Sequence, residues 1–383
     1  MKLNHIYKSI ACGVLLAMTA TSCDLDYNPV DTYSDVTEGV NKTDEKPIFN
    51  SVQDVETSMV TLHKKFRDQQ EHWYVDKLLI GDAHSDNAYA GTTGAEVVPY
   101  ETNSIEGSNS VLKRDWDRFL GDIAVANRII VGCDQLKALS ESERGKYQSQ
   151  AKIFRAMVMF DMVRLWGNFP VITTVGGDIT EDNVEEMYPT YFPPQNTAEE
   201  AYAQIEKDLT EAVENPNTPT NDTSDKSILT KSVARAMLAK VYAEKPLRDY
   251  AKVIKYADEL AADGFDLVED FSDLWAYDTE KKDCRVRNTK EAILEAHFPP
   301  GSGNWCTWMF GRNLSNWDES FTWAKWITPS RDLIRLYEEQ GDTKRYNESV
   351  VWYDCGWSNY YPADHYAFMY KCRSAFNSII YLR

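Results

Sequence analysis

Apolar positions recur every three or four residues from Val52 to Gln69, where Val55, Met59, Leu62 and Phe66 trace one stripe. That spacing predicts an amphipathic helix. The same pattern predicts a helix over Trp116–Leu136, through Trp116, Phe119, Leu120, Ile123, Val125 and Ile129, and another over Glu141–Trp166. Ser140 with Glu143 three residues on forms a capping-box signal for the second of these, and Gly167-Asn168-Phe169-Pro170 ends it. Two long helices so close in sequence should form an antiparallel hairpin. Thr197 with Glu200 predicts a helix over Ala198–Glu214, and further helices follow over Thr230–Glu244 and from Asp249 to Ala262. Ala234, Ala236, Ala239, Ala243, Ala251 and Ala257 are small residues of the kind that lets such helices approach closely. A last helix is expected over Thr328–Glu339.

Between these elements the period is lost. Residues 81–110 are rich in Gly, Asn, Ser and Thr and read as a long irregular loop. Residues 167–196 form a Pro-, Gly- and Tyr-rich connection, and residues 299–326 are a second long irregular stretch. Loops of that length are uncommon in compact domains unless they carry function or are disordered. Around Val350-Val351-Trp352-Tyr353, residues 349–373 alternate enough to allow some β-structure. The expected fold class is therefore mostly α, with tetratricopeptide-like helical hairpins stacked as a scaffold, long irregular loops and little β-structure.

The N-terminus changes the picture of where such a scaffold works. Lys2 and Lys8 precede an uncharged apolar run from Ile10 to Ala20, too short to span a bilayer. Small residues Ala20-Thr21-Ser22 then precede Cys23. This is the form of a secretory signal over residues 1–22 with lipidation at Cys23, although Ala20 stands where the common lipoprotein pattern has Leu. Residues 23–49, with Asp24, Asp26, Asp31 and Asp35, read as an acidic tether and entry segment, and residues 50–383 as one helical domain. No later stretch is long and apolar enough for a transmembrane helix.

The formal charge is −19. Without Lys2 and Lys8, 39 of the 41 basic residues remain against 60 acidic ones, a balance of −21. Such a chain repels phosphate backbones, so nucleic acid is not an expected partner. Cys133, Cys284, Cys306, Cys355 and Cys372 are scattered and include no C-x-x-C, so they form neither a zinc cluster nor a dense disulfide framework, though bridges within the later group stay open.

Several stretches, in order, resemble the SusD/RagB family of outer-membrane nutrient-binding lipoproteins. Leu79-Ile80-Gly81-Asp82-Ala83-His84-Ser85-Asp86-Asn87-Ala88-Tyr89 looks like its early Asp-rich segment. Ala151–Pro170, with Phe154-Arg155-Ala156, looks like its helix ending in a Gly-x-x-Pro turn. Thr230–Tyr242 is similar to its most recognisable helix. Thr328-Pro329-Ser330, Leu336-Tyr337 and Asp342-x-x-Arg345 match a later landmark. The resemblance implies a non-catalytic protein on the outer membrane. It would bind oligosaccharide and work with a TonB-dependent, SusC-like transporter in nutrient uptake, with no cofactor. Such proteins usually continue beyond an arginine like Arg383 into another helical hairpin, so this chain resembles a member shortened at its C-terminus.

A sugar ring has apolar faces that stack on aromatic rings and hydroxyls that need short polar partners. With 11 Trp and 22 Tyr, the chain has rings to spare. Trp305, Trp308, Trp317, Asn313 and Asn316 in the second long loop offer both kinds of group, as do Asp86, Asn87, Tyr89 and Tyr100 in the first. These are the expected ligand contacts. Each Trp could instead fill the core. Asp82-x-His84-x-Asp86 alternates like metal ligands but misplaces the Gly and distal Glu of a calcium loop, so no metal is assigned. A peptide-binding protein of the same family and a secreted glycoside hydrolase remain the alternatives.

Overall fold

The computed structural model describes residues 47–90, 96–177, 179, 181, 183–274, 277–278, 280, 283–298, 327–353, 366–369 and 379–382. The chain divides at Pro47, and apart from Pro47 the described residues lie in the unit that begins at Ile48. The expected leader, Cys23 and most of the expected tether thus fall outside them, as does the whole of 299–326.

Helix α1, Val52–Asp68, starts on a capping box. The Ser51 side chain accepts from the Asp54 amide while the Asp54 carboxylate accepts from the Ser51 amide. Val55, Met59 and Leu62 are buried as the stripe required, each burial worth roughly 1.5–3 kcal/mol. Helix α2, Ser110–Gln135, begins earlier than the apolar pattern indicated. The reason is Asn109, whose side-chain oxygen accepts from the amides of Val111 at 3.0 Å and Leu112 at 3.3 Å. Helix α3, Glu141–Trp166, carries the expected Ser140–Glu143 capping box. It ends where Gly167 takes φ +72°, a conformation an L side chain resists.

Helix α3 is buried almost all round from Ser149 to Val163. This is the mark of a helix surrounded by others. Helices α1 and α2 pack on it on one side and α4, Ala198–Glu214, on another. Next come α5, Lys231–Ala243, against α4, and α6, Tyr250–Ala262, against α5. Each helix thus rests on its predecessor, the arrangement of stacked helical hairpins. The expected close approach through alanine holds only in part. Ala234 and Ala236 are buried and Ala239 half-buried, but Ala243, Ala251 and Ala257 face solvent. Between α5 and α6 the contact is instead aromatic, with Tyr242 and Tyr256 stacked at 6.1 Å and 2°. A closer approach occurs at Gly132 of α2, where a Cβ would lie 2.4 Å from the Phe49 ring.

The strands among the described residues are short and pair antiparallel in twos. Strand β1, Ala88–Ala90, pairs with β5, Ile327–Pro329. Tyr277–Asp278 (β2) pairs with Asp283–Cys284 (β3), Leu294–His297 (β4) with Ile379–Leu382 (β8), and Val350–Tyr353 (β6) with Tyr366–Met369 (β7). The last pair is the β-structure expected around Val350. Helix α7, Arg331–Gln340, starts three residues later than expected, because Thr328 and Pro329 are in β5. Proline disfavours a helical residue before it, so Thr328 is extended and Ser330 becomes the cap. Helix α8, Thr343–Ser349, follows.

Stretch 81–110 is less irregular than its composition suggested. A π-helical turn over Leu79–Ala83, which follows another over Glu71–Val75, runs into its start, and β1 and a short helix Val98–Glu101 lie within it. Residues 91–95 lie outside the described ones. Cys133 and Cys284 are buried, while Cys306, Cys355 and Cys372 are outside the described residues.

Candidate functional site

The Asp-rich segment is fixed from below by Leu79 and Ala83, both buried. Above them the chain reverses in a compact polar turn. The Ser85 amide and hydroxyl both donate to the Asp82 carbonyl, at 3.2 Å and 2.9 Å. The Asn87 amide donates to the Ser85 hydroxyl at 3.2 Å, and the Asn87 side chain donates to the Asp82 carboxylate at 3.4 Å. Burial pushes the Asp82 carboxyl above its ordinary range, against the pull of Asn87. The turn leaves Asp86 and Asn87 exposed and Tyr89 half-buried beside them.

A clasp then ties this turn to the distant end of the second loop stretch. Ala88 pairs with Pro329, Tyr89 with Thr328 and Ala90 with Ile327. Ser330 makes three contacts at the junction. Its amide donates to the Asn87 carbonyl at 2.9 Å, its hydroxyl donates to the Asp86 carbonyl, and the same hydroxyl accepts from the Leu333 amide at 3.0 Å to cap α7. The Tyr89 hydroxyl accepts from the Arg331 amide at 3.2 Å, across 242 residues of sequence. Ile327, the residue following 299–326, is therefore held beside Ala90, and Phe298, the residue preceding it, is buried in the same core as Ile327.

Of the expected contacts, Asp86, Asn87 and Tyr89 come together on this clasp. Trp305, Trp308, Trp317, Asn313 and Asn316 lie outside the described residues. Tyr100 is corrected: it is fully buried in the short helix Val98–Glu101, with its hydroxyl donating to the Asn109 side chain at 3.3 Å. Its ring fills the core beneath the loop, and burial with Asp115 and Asp76 nearby raises its hydroxyl pKa. The alternation Asp82-x-His84-x-Asp86 does not gather into a metal site, and among the described residues no group of three His, Cys, Asp or Glu could hold one.

A buried electrostatic layer underlies the clasp and was not anticipated. Asp76, between the two π-helical turns, is fully buried and paired with Arg114 of α2. Asp115 beside it is also buried, 3.7 Å from the Arg114 Nε. Burial and the Asp76 charge push the Asp115 carboxyl well above the ordinary carboxylate range. Two turns further along α2, Asp122 accepts from Trp73 Nε1 at 2.9 Å, and His72 Nε2 lies 2.9 Å from the same oxygen. Burial lowers the pKa of His72, more than Asp122 raises it. A signal for this layer was present: Asp115 and Asp122 fall on the same stripe of α2 as Phe119 and Ile123, and Asp76 interrupts an apolar run.

The face of α2 near its start carries an open depression of about 410 Å³, lined by Ser110, Lys113, Arg114, Asp117 and Arg118. Its cations are already engaged, Lys113 by Asp117 at 2.7 Å, Arg114 by Asp76 and Arg118 by Glu71 at 3.0 Å. It is not a ready anion site. What the clasp offers instead is an exposed carboxylate, an amide and a phenol side by side, a set suited to hydroxyl groups.

A family model described as SusD-like, starch-binding and associating with the outer membrane matches residues 32–243. A SusD-like protein of Bacteroides ovatus is 25% identical over 309 residues, covering 77% of this chain and 50% of its own length. The chain thus spans about half the length of that curated relative. Among solved structures, a laminarin-binding SusD-like protein superposes with TM-score 0.68 at 19% identity, covering 88% of this chain and 78% of that one. Surface glycan-binding protein A from Bacteroides fluxus gives TM-score 0.66 at 18% identity, covering 86% and 73%. Its namesake from Bacteroides uniformis gives 0.66 at 17%, covering 86% and 72%. Likeness at these identities carries the fold.

Proposed function

We propose, since the chain belongs to the SusD-like family of starch-binding proteins that associate with the outer membrane, that it is a non-catalytic receptor for a neutral oligosaccharide. The observation that supports this reading is the β1–β5 clasp, which holds exposed Asp86 and Asn87 against the strand that ends the Trp-rich stretch. In this reading the Asp86 carboxylate accepts from sugar hydroxyls, and Asn87 and Tyr89 both donate and accept. Trp305, Trp308 and Trp317 stack on pyranose faces, and Asn313 and Asn316 bind the ring edges. Lipid on Cys23 anchors the chain in the outer membrane, where multiple acyl chains hold stably. A TonB-dependent, SusC-like transporter is the partner that takes the bound glycan inward.

Calorimetry of the mature chain against starch- and laminarin-derived oligosaccharides is expected to give micromolar-to-millimolar binding. Asp86→Ala and Trp305→Ala should each weaken it by about tenfold, the value of roughly 1.4 kcal/mol. Silence across a broad panel of glycans would sink the proposal, and heat with peptides instead would redirect it. Cys23→Ala should move the protein from the membrane fraction to the soluble one; unchanged fractionation would remove the anchor.

A further inference from the structure

The connection between α3 and α4 has a surface that the clasp does not use. It contains a short helix Val184–Met187 and a 3₁₀ turn Tyr188–Tyr191. Tyr188 is 55% exposed, Tyr191 50% and Phe192 67%. Single exposed apolar residues are ordinary, but several exposed together on one segment make a patch of the kind that marks a contact surface. Tyr188 and Phe192 form a pair, with centroids 5.0 Å apart and planes inclined at 49°.

The pair sits on a braced support. The Tyr191 hydroxyl donates to the Gly177 carbonyl at 2.6 Å, and its ring lies against Gly176, where a Cβ would meet it at 3.3 Å. The Thr190 hydroxyl donates to the Met187 carbonyl at 2.7 Å, and the Phe192 amide to the Pro189 carbonyl at 3.1 Å. At the base, the Asn196 amide donates to Phe169 at 2.9 Å and the Asn196 side chain accepts from the Val171 amide at 2.9 Å. Pro189, Pro193 and Pro194 further limit the backbone. Rings held this way lose little freedom when something stacks on them.

The chemistry of the segment narrows the ligand. No Lys or Arg occurs between Arg164 and Lys207, while Glu185 and Glu186 are exposed beside the rings. An anionic glycan or a phosphate would be repelled. The same connection also exposes Ile179, Val184 and Tyr191, and a protein contact across this apolar face is the outcome that the co-purification arm below tests. Flat aromatic faces with carboxylates alongside suit neutral sugar rings, whose C–H faces stack and whose hydroxyls donate. We propose that Tyr188 and Phe192 form a second stacking surface for neutral polysaccharide, separate from the clasp. It engages a long chain that a short oligosaccharide cannot span. This rests on the glycan-binding reading above.

The test is migration in native gels containing soluble starch, laminarin, xyloglucan or galactomannan. Four proteins are compared: the wild type, Tyr188→Ala/Phe192→Ala, Tyr188→Leu/Phe192→Leu and Trp305→Ala/Trp308→Ala. Circular dichroism checks that each is folded. In the gel that retards the wild type, both Tyr188/Phe192 variants should lose about three- to tenfold in polymer affinity while short-oligosaccharide affinity stays unchanged. The leucine variant separates stacking from mere apolarity, and full retention by it would overturn the inference. Wild-type retardation of the alanine variant would overturn the inference and leave the glycan reading standing. A wild type that moves freely in every gel would overturn both. Loss of co-purification with an outer-membrane transporter, with retardation intact, would reassign the rings to a protein contact and overturn the inference.

Discussion

Arg155 of α3 sets the fold's internal register. Its guanidinium donates to both oxygens of Asp208 on α4, at 2.8 Å and 2.7 Å, and to the Asn127 side chain on α2 at 2.7 Å. Arg155 and both its partners are buried. Removing one member leaves a buried charge without its complement, so Arg155→Ala should cost about 3–5 kcal/mol, read by urea denaturation. The double variant Arg155→Met/Asp208→Leu should recover much of that loss. Equal loss in both would mean that the charges do not balance one another. Asp115 makes the opposite argument. Burial and the neighbouring Asp76 carboxylate hold its carboxyl well above the ordinary range, so the folded state keeps a proton that the unfolded chain has released. Stability contributed by that proton is complete below the ordinary carboxylate range and is lost as pH rises toward the raised native value. Asp115→Asn should therefore stabilise the protein more at pH 8 than at pH 5, seen as a larger gain in Tm. An equal gain at both would show that no proton is involved.

Residues such as these also mark how far the sequence can be read. The stripe Val55, Met59, Leu62 and the caps Ser140 and Thr197 are local signals, and the helices they announce are where spacing placed them. Tyr100 was legible as an aromatic in a polar loop, but its burial depends on Asn109 and α2 folding over it, which no local pattern encodes. The acid layer of Asp76 and Asp115 was visible as charge on an apolar stripe; only packing decides that the two meet.

At the scale of elements, the clasp is the unit that matters. A three-residue strand is weak alone, and β1 and β5 each lean on Ser330, which joins both strands to the start of α7. Ser330→Ala removes the cap and the bond to the Asp86 carbonyl together, worth about 0.5–2 kcal/mol for the cap alone. Amide hydrogen exchange should then quicken at Ala88–Ala90 while α3 keeps its protection. Unaltered exchange in β1 would mean that the pairing holds without the serine. The clasp was only partly foreseen: Thr328-Pro329-Ser330 stood out as a landmark, but an N-terminal helix start explained it equally well. Pairing between strands so far apart has no periodicity to give it away.

At the scale of the whole molecule, each helix from α2 to α6 packs on its predecessor, so nearly every scaffold contact is short in sequence. The clasp is a long-range closure, joining Tyr89 to Arg331 over 242 residues, and β4 packs on α1 over a comparable span. Closing so long a span carries a large entropic cost that contacts made earlier must offset. As the chain is made N-terminus first, everything through α6 can settle before β5 exists. Pulse-labelled exchange during refolding should find α3 amides shielded before those of β1; simultaneous shielding would contradict this order. A nascent chain is thus a stacked scaffold before the Asp86–Tyr89 turn is held in place, and a chain cut short of β5 would keep the scaffold and lose the clasp.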